Sequence, residues 1–77
     1  MQEYLNQLNL LFREVLENED ISLTPETVAS DIDEWDSINH IYLVVEIEKY
    51  FNIKFTSSQI LEWKNVGEIV NSIQEKK

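Results

Sequence analysis

The sequence predicts an all-α fold: a small four-helix bundle, three main helices and one short one, with a long loop between helices one and two. Three observations predict it. Apolar residues recur at spacings of three and four in three separate stretches. Two polar residues, Thr56 and Asn65, each stand three places before a Gln or Glu, the spacing of a helix-capping pair. Between the first two periodic stretches lies a polar segment with neither helical nor strand period, and it contains the chain's single proline, Pro25.

The first helix is expected over residues 2 to 17. Tyr4, Leu5, Leu8, Leu11, Phe12, Val15 and Leu16 form one broad apolar face there. No glycine closes it, and Asn18-Glu19-Asp20 places acids where they oppose the helix dipole. Residues 18 to 36 read as the long connection. Ile21, Leu23, Val28 and Ile32 are spaced to pin it onto a core, and Thr24-Pro25-Glu26-Thr27 suits a short turn with Pro25 at a first helical position. A loop of this length inside a compact domain points to function.

The second helix is expected from Ser37 to Tyr50, with Asp36 or Ser37 as its N-cap. Its apolar residues are too many for one face. At about 100° per residue, Leu43, Val44, Ile47 and Phe51 form one stripe, and Ile38, Ile41 and Val45 form another. The first packs on helix one. The second is either another core contact or an exposed strip for a partner, and the small core of so short a chain favours the partner; Glu48 extends that strip with a charge. Asn52-Ile53-Lys54-Phe55 is a break with two apolar anchors. Thr56 and Gln59 then open a short third helix through Trp63, with Ile60 and Trp63 facing inward. Asn65 and Glu68 open the last, whose face is Val66, Ile69, Val70 and Ile73, with Gly67 allowing close packing.

At 77 residues the chain is a single domain, residues 1 to 77. A domain of this size buries roughly 60% of its unfolded surface and has little room for a deep active site. With no cysteine there is no disulfide framework or thiolate site, and with one histidine no histidine-based metal site. The longest apolar run, Ile41 to Val45, is too short to cross a bilayer. A soluble, cytoplasmic, monomeric protein is expected. The net charge of −9 sits in one half: residues 1 to 36 hold ten acids against Arg13 alone, and residues 37 to 77 hold five acids and five bases. That field repels nucleic acid and anionic membrane and favours partners with basic patches.

Asp31 and Asp33 start like a calcium loop. Trp35 and Tyr42 occupy later ligand positions, so no metal is expected. Ser37 and His40 lie one helical turn apart, but without a glycine-rich nucleophile turn or an oxyanion hole they make no triad, and no catalytic residue is expected. A serine at a helix start has another use, because the positive end of the dipole favours a phosphate esterified there. From these residues alone Ser37 is equally well a plain N-cap.

Asp36-Ser37-Ile38, with the acidic loop before it, Ile41-Tyr42-Leu43-Val44-Val45-Glu46-Ile47-Glu48 after it, Phe51 closing the helix and Asn65-Val66-Gly67-Glu68-Ile69 opening the last, resembles the acyl carrier proteins over nearly the whole chain. The resemblance implies a non-catalytic, single acyl-carrier-like domain. It implies a phosphopantetheine arm on Ser37, placed by a phosphopantetheinyl transferase, with Asp36 as the adjacent motif residue. The arm's thiol would carry an acyl or aminoacyl group as a thioester between acyl-loading and acyl-processing enzymes, in fatty acid, polyketide or secondary metabolite biosynthesis. Carried over, Ile38, Ile41, Val45 and Glu48 contact the basic docking patches of those partners, joined by Asp33 and Glu34. Glu34-Trp35 stands where many fatty-acid carriers have a glycine, and Tyr42 where an acid is usual. The reading set against it is an unmodified acidic helical interaction domain using the same strip.

Overall fold

The computed structural model describes residues 2–76. Four α-helices make up the ordered frame: α1 (Gln2–Val15), α2 (Ser37–Phe51), α3 (Ser57–Glu62) and α4 (Val66–Lys76), and no strand occurs among the described residues. Helix α1 packs on α2 and on α4. The core is built from the expected apolar faces: Leu5, Leu8, Leu11 and Phe12 of α1, Leu43, Ile47 and Phe51 of α2, and Val66, Ile69, Val70 and Ile73 of α4. Edge-to-face ring pairs tie the layers together, Tyr4 with Phe51 at 5.7 Å and Phe12 with Trp35 at 5.0 Å between centroids.

Helix α1 stops at Val15, two residues before the expected end. Glu17 adopts the left-handed conformation (φ 54°), and Asn18 N–H turns back to the Arg13 carbonyl at 3.1 Å. That reversed bond is the Schellman closure, made here with a glutamate where glycine is usual. At the far end of α2 the corresponding residue is Asn52 (φ 57°), a residue that tolerates the left-handed region, and the helix runs one residue further than expected, through Phe51. Helix α3 has the full capping box read from the sequence. Thr56 Oγ1 accepts from Gln59 N–H at 3.2 Å, and Gln59 Oε1 accepts from Thr56 N–H at 2.9 Å.

The connection from 16 to 36 is long and ordered. Ile21 and Leu23 are buried, Val28 and Ile32 half-buried. Polar groups of α1 hold its backbone: Arg13 Nε donates to the Ile21 carbonyl at 2.7 Å, and Asn9 Oδ1 accepts from Leu23 N–H at 2.7 Å. Thr24-Pro25-Glu26-Thr27 forms a turn closed by Thr27 N–H to the Thr24 carbonyl at 3.1 Å. Pro25 sits inside that turn and not at a helix start; the one helical turn of the loop is a 3-10 turn at Ala29–Asp31, closed at its front by Asp31 Oδ2 accepting from Val28 N–H.

The loop also completes α4. The first N–H groups of a helix have no partner within it. Here Val66 N–H donates to the Thr27 carbonyl at 2.9 Å, Gly67 N–H to the Pro25 carbonyl at 2.8 Å, and Glu68 N–H to Asn65 Oδ1 at 3.0 Å. A Cβ on residue 67 would stand 3.0 Å from the Pro25 carbonyl oxygen, so the lack of a side chain at Gly67 allows the turn to seat itself on the helix start.

Candidate functional site

The junction of loop and α2 is held by two side chains. Asp36 is the N-cap: its Oδ1 accepts from Asn39 N–H at 2.8 Å. Asn39 then reaches back with Nδ2 to the Glu34 carbonyl at 2.7 Å. Glu34 is itself fixed, its carboxylate accepting from Asn18 Nδ2 at 3.3 Å. With Asp36 capping, Ser37 takes the first helical position, and its exposed hydroxyl makes no hydrogen bond among the described residues. The choice of cap left open by the sequence is thus resolved.

Beside Ser37 opens a cavity of about 370 Å³ lined by residues that include Trp35, Asp36, His40, Trp63 and Lys64. Its aromatic walls are tied to the core and to each other by contacts and hydrogen bonds. Trp35 is 8% exposed and packs on Phe12, and its indole Nε1–H donates to His40 Nδ1 at 3.0 Å. The His40 ring stacks on Trp35 and meets the edge of Trp63. Trp63 Nε1–H donates to the buried Ser72 Oγ at 2.8 Å, and its ring packs against Phe55. Partial burial holds the His40 imidazole below its usual 6.5, because the charged form is poorly solvated there. The sequence gives no sign of the partnership of His40 with two tryptophans. The i, i+3 spacing to Ser37 was visible, whereas Trp63 and Lys64 come from a distant segment with no local signal.

The two stripes of α2 part as expected. Leu43, Val44, Ile47 and Phe51 are buried, while Ile38 (66%), Ile41 (64%) and Val45 (42%) stay exposed, with Tyr42 beside them. Asp33 is exposed in the loop before α2. Glu48 is half-buried, and its Oε2 accepts from Phe55 N–H at 2.9 Å, so it also anchors the segment before α3. No group of His, Cys, Asp and Glu side chains among the described residues is arranged to hold a metal ion. No helix among them is long and apolar enough to cross a membrane.

The chain is a small helical bundle that presents an unbonded hydroxyl at the start of one helix, next to an exposed apolar strip. A sequence model of one family, the phosphopantetheine attachment site, matches residues 6–73. Among solved structures, the holo acyl carrier protein of Geobacter metallireducens, determined in solution by NMR, is 40% identical and superposes with a TM-score of 0.89 over 94% of this chain and 83% of that one. A Mycobacterium tuberculosis chain provisionally described as an acyl carrier protein shares the fold at 24% identity, with a TM-score of 0.81 over 91% of this chain and 93% of that one. No curated protein sequence matches the chain. The chain belongs to the phosphopantetheine-attachment family: it is an acyl carrier protein, a non-catalytic carrier bearing phosphopantetheine covalently and interacting with biosynthetic enzymes.

Proposed function

We propose that Ser37 is the attachment point of the arm. The observation that carries this reading is the division of labour between neighbours: Asp36 caps α2, and the Ser37 hydroxyl is exposed and uncommitted. Esterifying it therefore breaks no hydrogen bond of the fold. The residues around it fit the group, since a phosphate at the first helical position lies in the favourable field of the dipole, and the aromatic-walled cavity beside it offers apolar surface along which an arm can lie. When bound, the group supplies a thiol that holds an acyl or aminoacyl cargo as a thioester.

A phosphopantetheinyl transferase moves the arm from coenzyme A to Ser37: the serine oxygen loses its proton and forms the new bond to phosphorus, while the pyrophosphate link of coenzyme A breaks and adenosine 3′,5′-bisphosphate leaves. The rest of the work done by the chain is presentation. Ile38, Ile41 and Val45 offer an apolar strip starting one residue after the tether, and Asp33, Glu34 and Asp36 flank it with negative charge. Partners that load and process the cargo meet this face with basic patches around an apolar contact. Glu48 closes the strip at its far end while holding Phe55. The single carrier domain spans residues 1–77, and the fields of net charge −9 suit a cytoplasmic carrier that avoids nucleic acid.

The test is intact-mass analysis after incubation with coenzyme A and a broad-specificity transferase. One phosphopantetheinyl group is expected on the wild type and none on Ser37→Ala. Modification of Ser37→Ala, or none of the wild type, refutes the assignment.

A further inference from the structure

The strongest unassigned feature is His40. Its Nδ1 accepts the Trp35 indole hydrogen at 3.0 Å, and a ring nitrogen that accepts carries no proton. In the neutral imidazole the proton must then lie on Nε2. No group among the described residues accepts from Nε2, and the ring lines the cavity that Ser37 also lines. Trp35 thereby fixes both the tautomer and the plane of the ring, leaving one oriented N–H donor unspent. Residues three apart on a helix are surface neighbours, about 5–6 Å between Cβ atoms, and His40 and Ser37 line the same cavity, so a group on Ser37 Oγ enters the space that the donor borders.

We propose that His40, through Nε2–H, hydrogen-bonds the phosphodiester anion at the root of the arm and pins that root against the cavity between α2 and the segment around Trp63. The inference rests on Ser37 being the attachment point. His40 is a positioning residue in this scheme. The arm then leaves the protein in a set direction, along the walls made by Trp35 and Trp63, in place of swinging about the Ser37 side chain. The charged side chains lining the same cavity are Asp36, which opposes the anion, and Lys64, which favours it. Lys64 makes no ion pair among the described residues. An anion hydrogen-bonded to Nε2–H also stabilises the imidazolium, so attachment of the arm acts against the burial that lowers the proton affinity of His40.

The chain has one histidine, so its ring resonances are unique. NMR titration of that ring is compared in the apo protein, the protein loaded from coenzyme A, and Ser37→Ala. The titration midpoint is expected to rise on loading and to stay at the apo position in Ser37→Ala. The phosphorus resonance of the loaded protein should inflect at the same midpoint, although a phosphodiester does not itself titrate there. In His40→Gln, which keeps an acceptor for Trp35 and a neutral donor, that inflection should vanish. An unchanged or lowered midpoint in fully loaded wild type overturns the inference alone, as does a phosphorus inflection that survives His40→Gln. A wild type that mass analysis shows unmodified at Ser37 overturns the attachment reading and this one with it. The wild-type comparison needs no variant to fold.

Discussion

Four polar or aromatic residues, Trp35, Asp36, Ser37 and Asn39, divide the tasks at the start of α2. Trp35 is spent on the core and on His40, Asp36 on the cap, Ser37 on nothing internal, and Asn39 on tying the helix to the loop. Had Ser37 been the cap, its hydroxyl would satisfy an N–H of the first turn, and modification would cost the cap energy of about 1 kcal/mol. His40 adds a pH dependence whose sign follows from its surroundings. Burial lowers its folded-state proton affinity relative to the unfolded chain, where 6.5 applies. Between those two values the unfolded state binds more protons, so stability falls as pH is lowered through 6.5 and this contribution levels off below the folded value. Protonation also puts a hydrogen on Nδ1 facing the Trp35 N–H, two donors with no acceptor between them. Urea denaturation of the apo protein should therefore show a midpoint that drops on acidification from neutral pH through this window. The drop should be smaller in His40→Gln. An equal drop in both proteins would assign the effect to the carboxylates.

Helix α2 has a buried apolar face and an exposed one, and substitutions should separate a packing role from the proposed docking role. Truncating Ile47, 1% exposed, leaves a cavity in the core, and Ile47→Ala should cost about 2–5 kcal/mol, much of the roughly 5 kcal/mol available to a domain at the low end of stability. Ile41→Ser lies on the solvated strip and should change stability by no more than about 0.5 kcal/mol. Its effect belongs to transfer: the rate of loading by the transferase should fall while thermal unfolding stays put. Unaltered loading kinetics would remove Ile41 from the docking face. This two-faced pattern was legible because helical period is a local property, and so were the Thr56–Gln59 box and the face of α4. Other features were not legible, for physical reasons. The end of α1 depends on Glu17 entering the left-handed region, which its side chain does not favour and which the Asn18 to Arg13 bond enforces. The 3-10 turn at Ala29–Asp31 is closed by backbone bonds from Asp31 and Ile32 N–H to the Val28 and Ala29 carbonyls, with only the Asp31 carboxylate accepting from Val28 N–H as a side-chain signal. The seating of the Pro25 turn on α4 joins segments some forty residues apart in the chain, through backbone groups that carry no residue signature. The same holds for the cavity: Trp35 and His40 are adjacent to Ser37 in sequence, while Trp63 and Lys64 reach it only through the fold.

At the scale of the whole molecule, the charge is divided unevenly about Ser37. Ten of the fifteen acids precede Ser37 with only Arg13 to offset them, while the chain after it is balanced. The loop that carries much of this charge is ordered by Arg13, Asn9 and Asn18, so the negative field has a fixed position relative to the strip of α2. A fixed field steers encounter and sets orientation more than it adds to final affinity. Exposed charges are screened over about 10 Å at 0.1 M salt and about 3 Å at 1 M. Association with a partner enzyme should therefore slow steeply with ionic strength, by on the order of tenfold or more across that range, whereas dissociation should change little. Asp33→Asn combined with Glu34→Gln should flatten the salt dependence of the association rate, since Gln keeps an acceptor for Asn18 and the fold is retained. Stopped-flow association with the transferase, measured for both proteins over a salt series, decides the matter. A rate independent of salt in the wild type would shift the docking energy from the acidic loop to Ile38, Ile41 and Val45, and would leave the charge of residues 1 to 36 as a determinant of solubility alone.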